Sequence, residues 1–435
     1  MGARCIEKMN ITPLDPWIHH KIAASQPQLT RAEIEAWQVR KLNETLALAR
    51  AQSPFYRKLL AGMPKTIAGL DDLTQFPFTT PQDICRNPLQ LVCVSQDEIQ
   101  RVVTLQSSGT TGAPKRIYYT AQDQELTVDF FGVGMSTLTR PGERVLILLP
   151  GETPGSVGDL LSKGLQRLGM EPISYGPVYD PLHTLEVIAT RQVDCLVGSP
   201  TQMLGLARRW QPDRHKPRSV LLSTDYVPAA IVKTLEQAWG CEVYNHYGAT
   251  EMGLGGGVEC GARRGYHLRE ADLYFEVINP LSGQPVQEGE YGEVVFTTLT
   301  RRGMPLIRYR MGDRSRFIPA ACPCGTALKT LEKVSRRFDG FVALGEAILC
   351  LPDFDEALFG LPDLLNFSVT VIAEGALRIE AQMLNDVDVS HEIERALRTI
   401  PALENLTATI QCRYNPLEVG SLRKRVIYNP ARVIV

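Results

Sequence analysis

Three stretches bring together residue types that can handle a phosphorylated ligand. Residues 105–115 read Leu-Gln-Ser-Ser-Gly-Thr-Thr-Gly-Ala-Pro-Lys. Small residues, Gly109 and Gly112 among them, let the backbone turn several N–H groups toward one point. The hydroxyls of Ser107, Ser108, Thr110 and Thr111 add donors, which is what a phosphate-holding loop needs. The Walker pattern is absent. A flexible linker is the weaker reading, because the run ends in Pro114-Lys115 and lies between strand-like segments. Residues 244–253 read Tyr-Asn-His-Tyr-Gly-Ala-Thr-Glu-Met-Gly after a strand pattern. An aromatic ring there can stack on a base, the Thr250 hydroxyl can touch a phosphate, and the Glu251 carboxylate can hold Mg²⁺. The C-terminal end of a parallel strand is where such sheets bind ligands, although spacing alone leaves a plain strand–turn equally open. In residues 305–314, Asp313 follows Gly312 among Arg308, Arg310 and Arg314, with Arg302 nearby. That carboxylate can accept from sugar hydroxyls, and the arginines can serve anions or simply pair with acids; alone, the stretch favours the second use.

Cysteine spacing suggests a metal. Cys322-Pro323-Cys324-Gly325 is a tight dithiol knuckle, and Cys260 with His267 offers the two further ligands a tetrahedral Zn²⁺ site requires. Four protein ligands leave no position for water, so the site would be structural. The competing reading is two unrelated thiol clusters. Cys5, Cys85, Cys93, Cys195, Cys241, Cys350 and Cys412 lack such spacing and read as core or surface thiols. His19-His20 reads as a solvated pair.

The elements that must position these groups change character along the chain. Residues 25–50 predict a helix, with Thr30 and Glu33 as its start and Ser53-Pro54 as its break. Phe78-Thr79-Thr80-Pro81 is a second helix start. From residue 101 the pattern alternates: strands over 101–105, 144–149, 171–174, 194–197, 219–222 and 242–245, helices over 158–168, 182–190, 200–210 and 229–239. This argues for a largely parallel sheet covered by helices. Residues 273–278 and 292–298 predict strands in a β region punctuated by Gly and Pro. A last alternation, with strands over 369–372, 376–382 and 408–413 and a helix over 388–399, predicts a small α+β domain. The expected division is 1–338 and 339–435.

The chain has 435 residues and a net charge of −2, which gives no electrostatic case for nucleic acid or an anionic membrane as the main partner. No apolar run approaches the roughly 18–20 residues of a spanning helix. The first residues, MGARCIEKMN, lack the apolar region of a secretory signal, and Ile6 breaks the myristoylation pattern. The expectation is a cytoplasmic protein with reduced cysteines.

Taken together, residues 107–115, 247–251 and 309–313, in that order and spacing, resemble the core motifs of the adenylate-forming superfamily. The nearest branch is the phenylacetate–CoA ligases. Leu42-Asn43-Glu44-Thr45, Ser53-Pro54-Phe55-Tyr56-Arg57-Lys58, Leu70-Asp71-Asp72-Leu73 and Phe76-Pro77-Phe78-Thr79-Thr80 are similar to that branch as well. The resemblance implies an α/β fold: a large N-terminal adenylate-forming domain with helix-covered sheets and a β subdomain, plus a small mobile α+β C-terminal domain. It implies an AMP-forming ligase that joins ATP and a small-molecule carboxylic acid, aryl and phenylacetate-like or related, into an acyl-adenylate that a CoA thiol captures. By similarity Ser107, Ser108, Gly109, Thr110, Thr111 and Gly112 would cradle the β- and γ-phosphates, with Lys115 beside them. Tyr247, followed by Gly248, would stack on adenine, Thr250 would contact the α-phosphate or the acyl-adenylate, Glu251 would hold Mg²⁺ and Asp313 would bind the ribose. Arg337 looks like the hinge arginine and Asp339 like the pivot. His246 either faces the acyl pocket or is a plain strand-end histidine. The branch often forms homodimers.

The chain also departs from the branch. Ser223-Thr224-Asp225 stands where Gly-Ala-Glu is usual before the adenine site, so Ser223 and Asp225 take those positions. Gly340 follows Asp339 in place of a second Asp. Leu422 occupies the position of the catalytic lysine, leaving Arg423 or Lys424 as the substituting cation, with Lys424 the candidate. These departures keep two other readings open: transfer of AMP or acyl to an acceptor other than CoA, and a nucleotide-binding relative with weak turnover.

Overall fold

The computed structural model describes residues 11–105, 114–338, 340–344, 347–373, 376–385, 387–404, 407–413 and 425–429. Among the sequence-level candidates, Ser107, Ser108, Gly109, Thr110, Thr111, Gly112, Asp339, Leu422, Arg423 and Lys424 lie outside the described residues.

In chain order, helices α1 (Leu14–Lys21), α2 (Arg31–Gln52), α3 (Pro54–Leu59) and α4 (Pro81–Arg86) precede a hairpin, β1 (Ile99–Leu105) and β2 (Lys115–Thr120), and helix α5 (Ala121–Met135). The alternating stretch is β3 (Arg144–Ile147), α6 (Val157–Arg167), β4 (Glu171–Ser174), α7 (Pro181–Thr190), β5 (Cys195–Gly198), α8 (Pro200–Ala207), β6 (Ser219–Leu222), α9 (Ala229–Trp239) and β7 (Glu242–Tyr247). Six strands follow: β8 (Gly257–Glu259), β9 (Tyr266–Leu268), β10 (Leu273–Ile278), β11 (Gly292–Thr298), β12 (Tyr309–Ser315) and β13 (Thr330–Leu331). The last region is β14 (Arg336–Arg337), β15 (Phe341–Leu344), β16 (Ala347–Cys350), α10 (Leu351–Leu358), β17 (Leu364–Ala373), β18 (Ala376–Met383), α11 (Ser390–Leu397), β19 (Thr407–Arg413) and β20 (Ile427–Tyr428). The mixed α/β architecture expected from the alternation is present, with β2, α5 and the β15–β16 hairpin added to it.

Two compact units share the chain. The first comprises Met1–Thr137, Lys163–Leu168 and His246–Val334; the second comprises Leu138–Ser162, Gly169–Asn245 and Ser335–Val435. In the first, Thr30 caps α2 by accepting from the Glu33 N–H, and Ser53 both ends α2 and caps α3, whose first residue is Pro54. β10, β11 and β12 form an antiparallel sheet. The core packs Leu42 and Leu46 of α2 with Tyr56, Phe76, Ile117, Phe275, Phe296 and Tyr309. The Tyr56 hydroxyl is fully buried and shares a 3.0 Å hydrogen bond with Thr79 while accepting one from the Ile307 N–H. Gly132 of α5 and Gly164 of α6 allow a close crossing, since a Cβ on Gly132 would lie 2.8 Å from the Gly164 carbonyl oxygen.

In the second unit the strands run parallel in the order β4-β3-β5-β6-β7. β5 and β6 are buried throughout, as expected of strands covered on both faces. The C-terminal region belongs to the same unit. Its β17–β18 pair is antiparallel, flanked by β19 and β20 in parallel pairing. Phe354, Leu358, Phe359 and Phe367 join the buried cluster of Leu196, Leu204 and Leu206. Arg208 donates to the carbonyls of Phe359 at 2.9 Å and Leu361 at 2.8 Å, and the Tyr226 hydroxyl donates to Glu356 at 2.6 Å. Arg425 lies over the rings of Phe359 and Phe367 and pairs with buried Asp355 at 2.7 Å.

Candidate active site

β7 carries the chain from the second unit into the first. Its last two residues, His246 and Tyr247, pair antiparallel with Val258 and Gly257, and β8 pairs in turn with β9. The turn between β7 and β8 is tight. Gly248 admits no side chain, since a Cβ there would lie 2.1 Å from the Leu254 carbonyl oxygen. A single 3₁₀ turn, Thr250–Met252, follows and ends at Gly253 in the left-handed region, φ 76°.

This turn is clamped from both sides. The Tyr119 hydroxyl of β2 donates to the Thr250 carbonyl. Arg301 donates to the Glu251 carbonyl at 2.7 Å and lies 5.0 Å from the centre of the Tyr119 ring. Thr127 of α5 donates to the Gly253 carbonyl at 2.8 Å. The Glu251 side chain is thereby held inside the unit, 5% exposed. Its Oε1 takes an ion pair from Lys115 and a hydrogen bond from the Tyr309 hydroxyl at 3.2 Å. Burial pushes the Glu251 carboxyl up, but Lys115 and Tyr309 outweigh it and hold the group below its ordinary value, so it is an anion.

Tyr247 and Asp313 also meet. The tyrosine hydroxyl donates to Asp313 Oδ2 at 2.9 Å, and the Tyr247 ring stacks on Tyr266 with centroids 5.5 Å apart. The three sequence-level motifs therefore converge where they are described: Lys115, Tyr247, Gly248, Thr250, Glu251, Tyr309 and Asp313 all belong to the first unit. Ser223, Asp225 and Arg337 belong to the second. There the Ser223 N–H donates to the Gly198 carbonyl at 3.1 Å, Asp225 accepts from the Tyr226 N–H, and Thr224 has φ 78°.

His246 lies against Phe131, 5.9 Å away edge-on, and Phe130, 6.3 Å away. Desolvation lowers its pKa to about 4, so the ring is neutral. Phe130 also fills the space beside Gly255, where a Cβ would come within 2.4 Å of its ring.

Cys260, His267, Cys322 and Cys324 converge as well, their ligand atoms all within 4.8 Å of one another. A tetrahedral site with Zn–S bonds of about 2.3 Å places sulfurs about 3.8 Å apart, so this donor set fits the ion. Cys260 and Cys322 sulfurs are 3.6 Å apart, and Cys324 Sγ is 3.4 Å from His267 Nε2. The other ring nitrogen of His267 lies 3.5 Å from the Thr330 hydroxyl, which orients the imidazole. The thiol of Cys260 and the adjacent His267 push Cys324 down, favouring the thiolate a metal takes.

Sequence reasoning missed Tyr119 and Arg301, the two groups that fix the Glu251 turn. Neither sits in a recognisable motif, and no local pattern singled them out. Among the described residues, no helix is long and apolar enough to cross a membrane.

Residues 39–299 match the family model described as AMP-binding enzyme. The chain is 31% identical over 395 residues to a phenylacetate–coenzyme A ligase of Thermus thermophilus, covering 86% of each chain. It is 29% identical to a phenylacetate–coenzyme A ligase of Escherichia coli, covering 72% of this chain and 73% of the relative. The crystal structure of 2-hydroxyisobutyryl-CoA ligase in its postadenylation state shares the fold, with a TM-score of 0.81 at 19% identity over 93% of this chain and 91% of that one. The chain therefore belongs to the AMP-binding enzymes of the adenylate-forming superfamily, in the phenylacetate–CoA ligase-like branch, as an ATP-dependent, AMP-forming ligase.

Proposed function

We propose that this protein activates an aryl, phenylacetate-like carboxylic acid as an acyl-adenylate and passes the acyl group to the thiol of CoA. The 31% identity to a phenylacetate–coenzyme A ligase across 86% of both chains carries this reading. The acid's carboxylate attacks the α-phosphorus of ATP and pyrophosphate leaves; the CoA sulfur then attacks the acyl carbon and AMP leaves. Both reactants of the first step are anions, so cations and N–H donors must offset their repulsion and the charge that builds on pyrophosphate.

In this reading residues 107–112 hold the β- and γ-phosphates with Lys115 beside them, and Tyr247 presents its ring to adenine. Asp313 accepts from the ribose hydroxyls, oriented by the Tyr247 hydroxyl, while Thr250 meets the α-phosphate. Gly248 adjoins Tyr247, Ser223 and Asp225 serve the nucleotide by their likeness to the branch's usual Gly-Ala-Glu positions, His246 backs the acyl pocket, Arg337 serves the hinge, and Lys424 supplies the C-terminal cation. Glu251, an oxygen donor held anionic and buried, suits Mg²⁺, which would neutralise phosphate charge when bound. Residues 339–435 act as the C-terminal domain that moves about Asp339 between the two half-reactions. Cys260, His267, Cys322 and Cys324 hold a structural Zn²⁺, which suits a reducing, cytoplasmic compartment.

The test is pyrophosphate release from Mg-ATP across a panel of aryl and aliphatic acids, with and without CoA. Release with aryl acids, and an acyl-CoA product only when CoA is present, is the expected result. Release with an aryl acid but no thioester would move the assignment to another acceptor. No release with any acid would leave a nucleotide-binding protein without this turnover.

A further inference from the structure

Lys115 opens β2, three residues after Gly112 of the phosphate-loop motif, and its ammonium is the cation on Glu251. The ammonium and the Tyr309 hydroxyl share one carboxylate oxygen, Oε1. At 5% exposure Glu251 draws little counter-charge from water, so a cation at this oxygen is a condition of keeping the carboxylate ionised inside the fold. Lys115 itself is less enclosed, with 22% of its side chain exposed, and ends a flexible four-carbon stem. Tyr309, by contrast, is 1% exposed and fixed within the core. One partner of the carboxylate is enclosed in the core and the other reaches it from a partly exposed, flexible stem.

We propose that Lys115 is an internal stand-in for the divalent ion: it occupies Glu251 while no nucleotide is bound and releases it when phosphates offer the ammonium another anion. This rests on the reading of Glu251 as the metal-holding carboxylate. A divalent ion arriving alone must displace the ammonium and leave it without its partner. An ion arriving with a triphosphate supplies that partner. Metal and nucleotide then bind as one event, and the coupling is reciprocal: each strengthens the binding of the other. The buried carboxylate is never without a counter-charge.

Mn²⁺ serves as the probe, titrated into the full chain without nucleotide and read as free Mn²⁺ by electron paramagnetic resonance. The wild type binds it weakly. Lys115→Met gains a site about tenfold tighter or more, Lys115→Met/Glu251→Gln loses that gain, and Lys115→Arg behaves as wild type. Mn²⁺ also raises the melting temperature of Lys115→Met and not that of the wild type. If Lys115→Met fails to fold, Lys115→Gln, which also removes the charge, takes its place. Equal Mn²⁺ affinity in the wild type and the neutral variants would overturn the proposal. A separate arm uses Mn²⁺ with a non-hydrolysable ATP analogue. If Glu251→Gln weakens binding there while the neutral variants gain nothing without nucleotide, the exchange falls and the metal reading stands. If Glu251→Gln leaves that binding unchanged, the metal reading itself falls, and the exchange with it.

Discussion

Glu251 depends on neighbours that can each be removed alone. Tyr309→Phe keeps the buried ring but deletes the 3.2 Å hydrogen bond to Oε1. Partners of a metal-holding group cost about 10–100-fold when removed, so adenylation should slow by at least tenfold while the fold is retained; unchanged pyrophosphate-release rates would show that Tyr309 does not position Glu251. His246 gives a pH prediction. Its pKa falls from 6.5 to about 4 because burial disfavours the imidazolium. The unfolded chain therefore takes up a proton that the folded chain refuses between those values. The His246 contribution is complete above pH 6.5 and declines as pH falls toward 4, by on the order of 2–3 kcal/mol. His246→Leu should flatten the denaturant-midpoint profile in this window, and parallel profiles would rule that origin out. At this scale the sequence was informative where chemistry demands a residue type, as at Glu251 or Asp313. It was silent on Tyr119 and Arg301, which act through backbone carbonyls that any residue supplies.

Short elements bring distant ligands together. Cys260 follows β8, His267 lies in β9, and Cys322 and Cys324 sit in the loop before β13, which pairs with β9. If these four groups hold zinc, elemental analysis should find one ion per chain in the wild type and none in Cys324→Ser, whose melting temperature should fall by several degrees; a wild type without zinc, or a variant that keeps it, would contradict the site. Because Tyr266 adjoins His267 and stacks on Tyr247, the same variant should weaken ATP binding more than it disturbs sites elsewhere. Gly255 tests packing. Gly255→Ala forces a methyl to within 2.4 Å of the Phe130 ring and should cost about 1–3 kcal/mol by chemical denaturation; Phe130→Leu in the same chain should recover part of it. Strand and helix boundaries followed from periodicity: 219–222 and 229–239 in the alternating stretch coincide with β6 and α9, and 273–278 in the β region coincides with β10. Helix α5 escaped because Gly132 and Gly134 depress helix propensity. Gly132 is there for the crossing at Gly164, a contact between residues that no local window joins.

The two units interleave along the chain. Each is assembled from separated segments, and the first is complete only when Val334 is in place. Tyr56 shows the consequence within one residue, since its hydroxyl needs Thr79 and the N–H of Ile307. A fragment ending at Asn245 should therefore remain protease-sensitive and bind no nucleotide, while the full chain resists digestion; a stable, digestion-resistant fragment would contradict this. The same threading bears on how the protein is made. At roughly 5–20 residues per second of synthesis, helices α1–α5 leave the ribosome well before the strands that cover them. Their apolar faces stay open for on the order of ten seconds or more, a period when a holding chaperone has something to grip and an early stop leaves a chain that cannot finish.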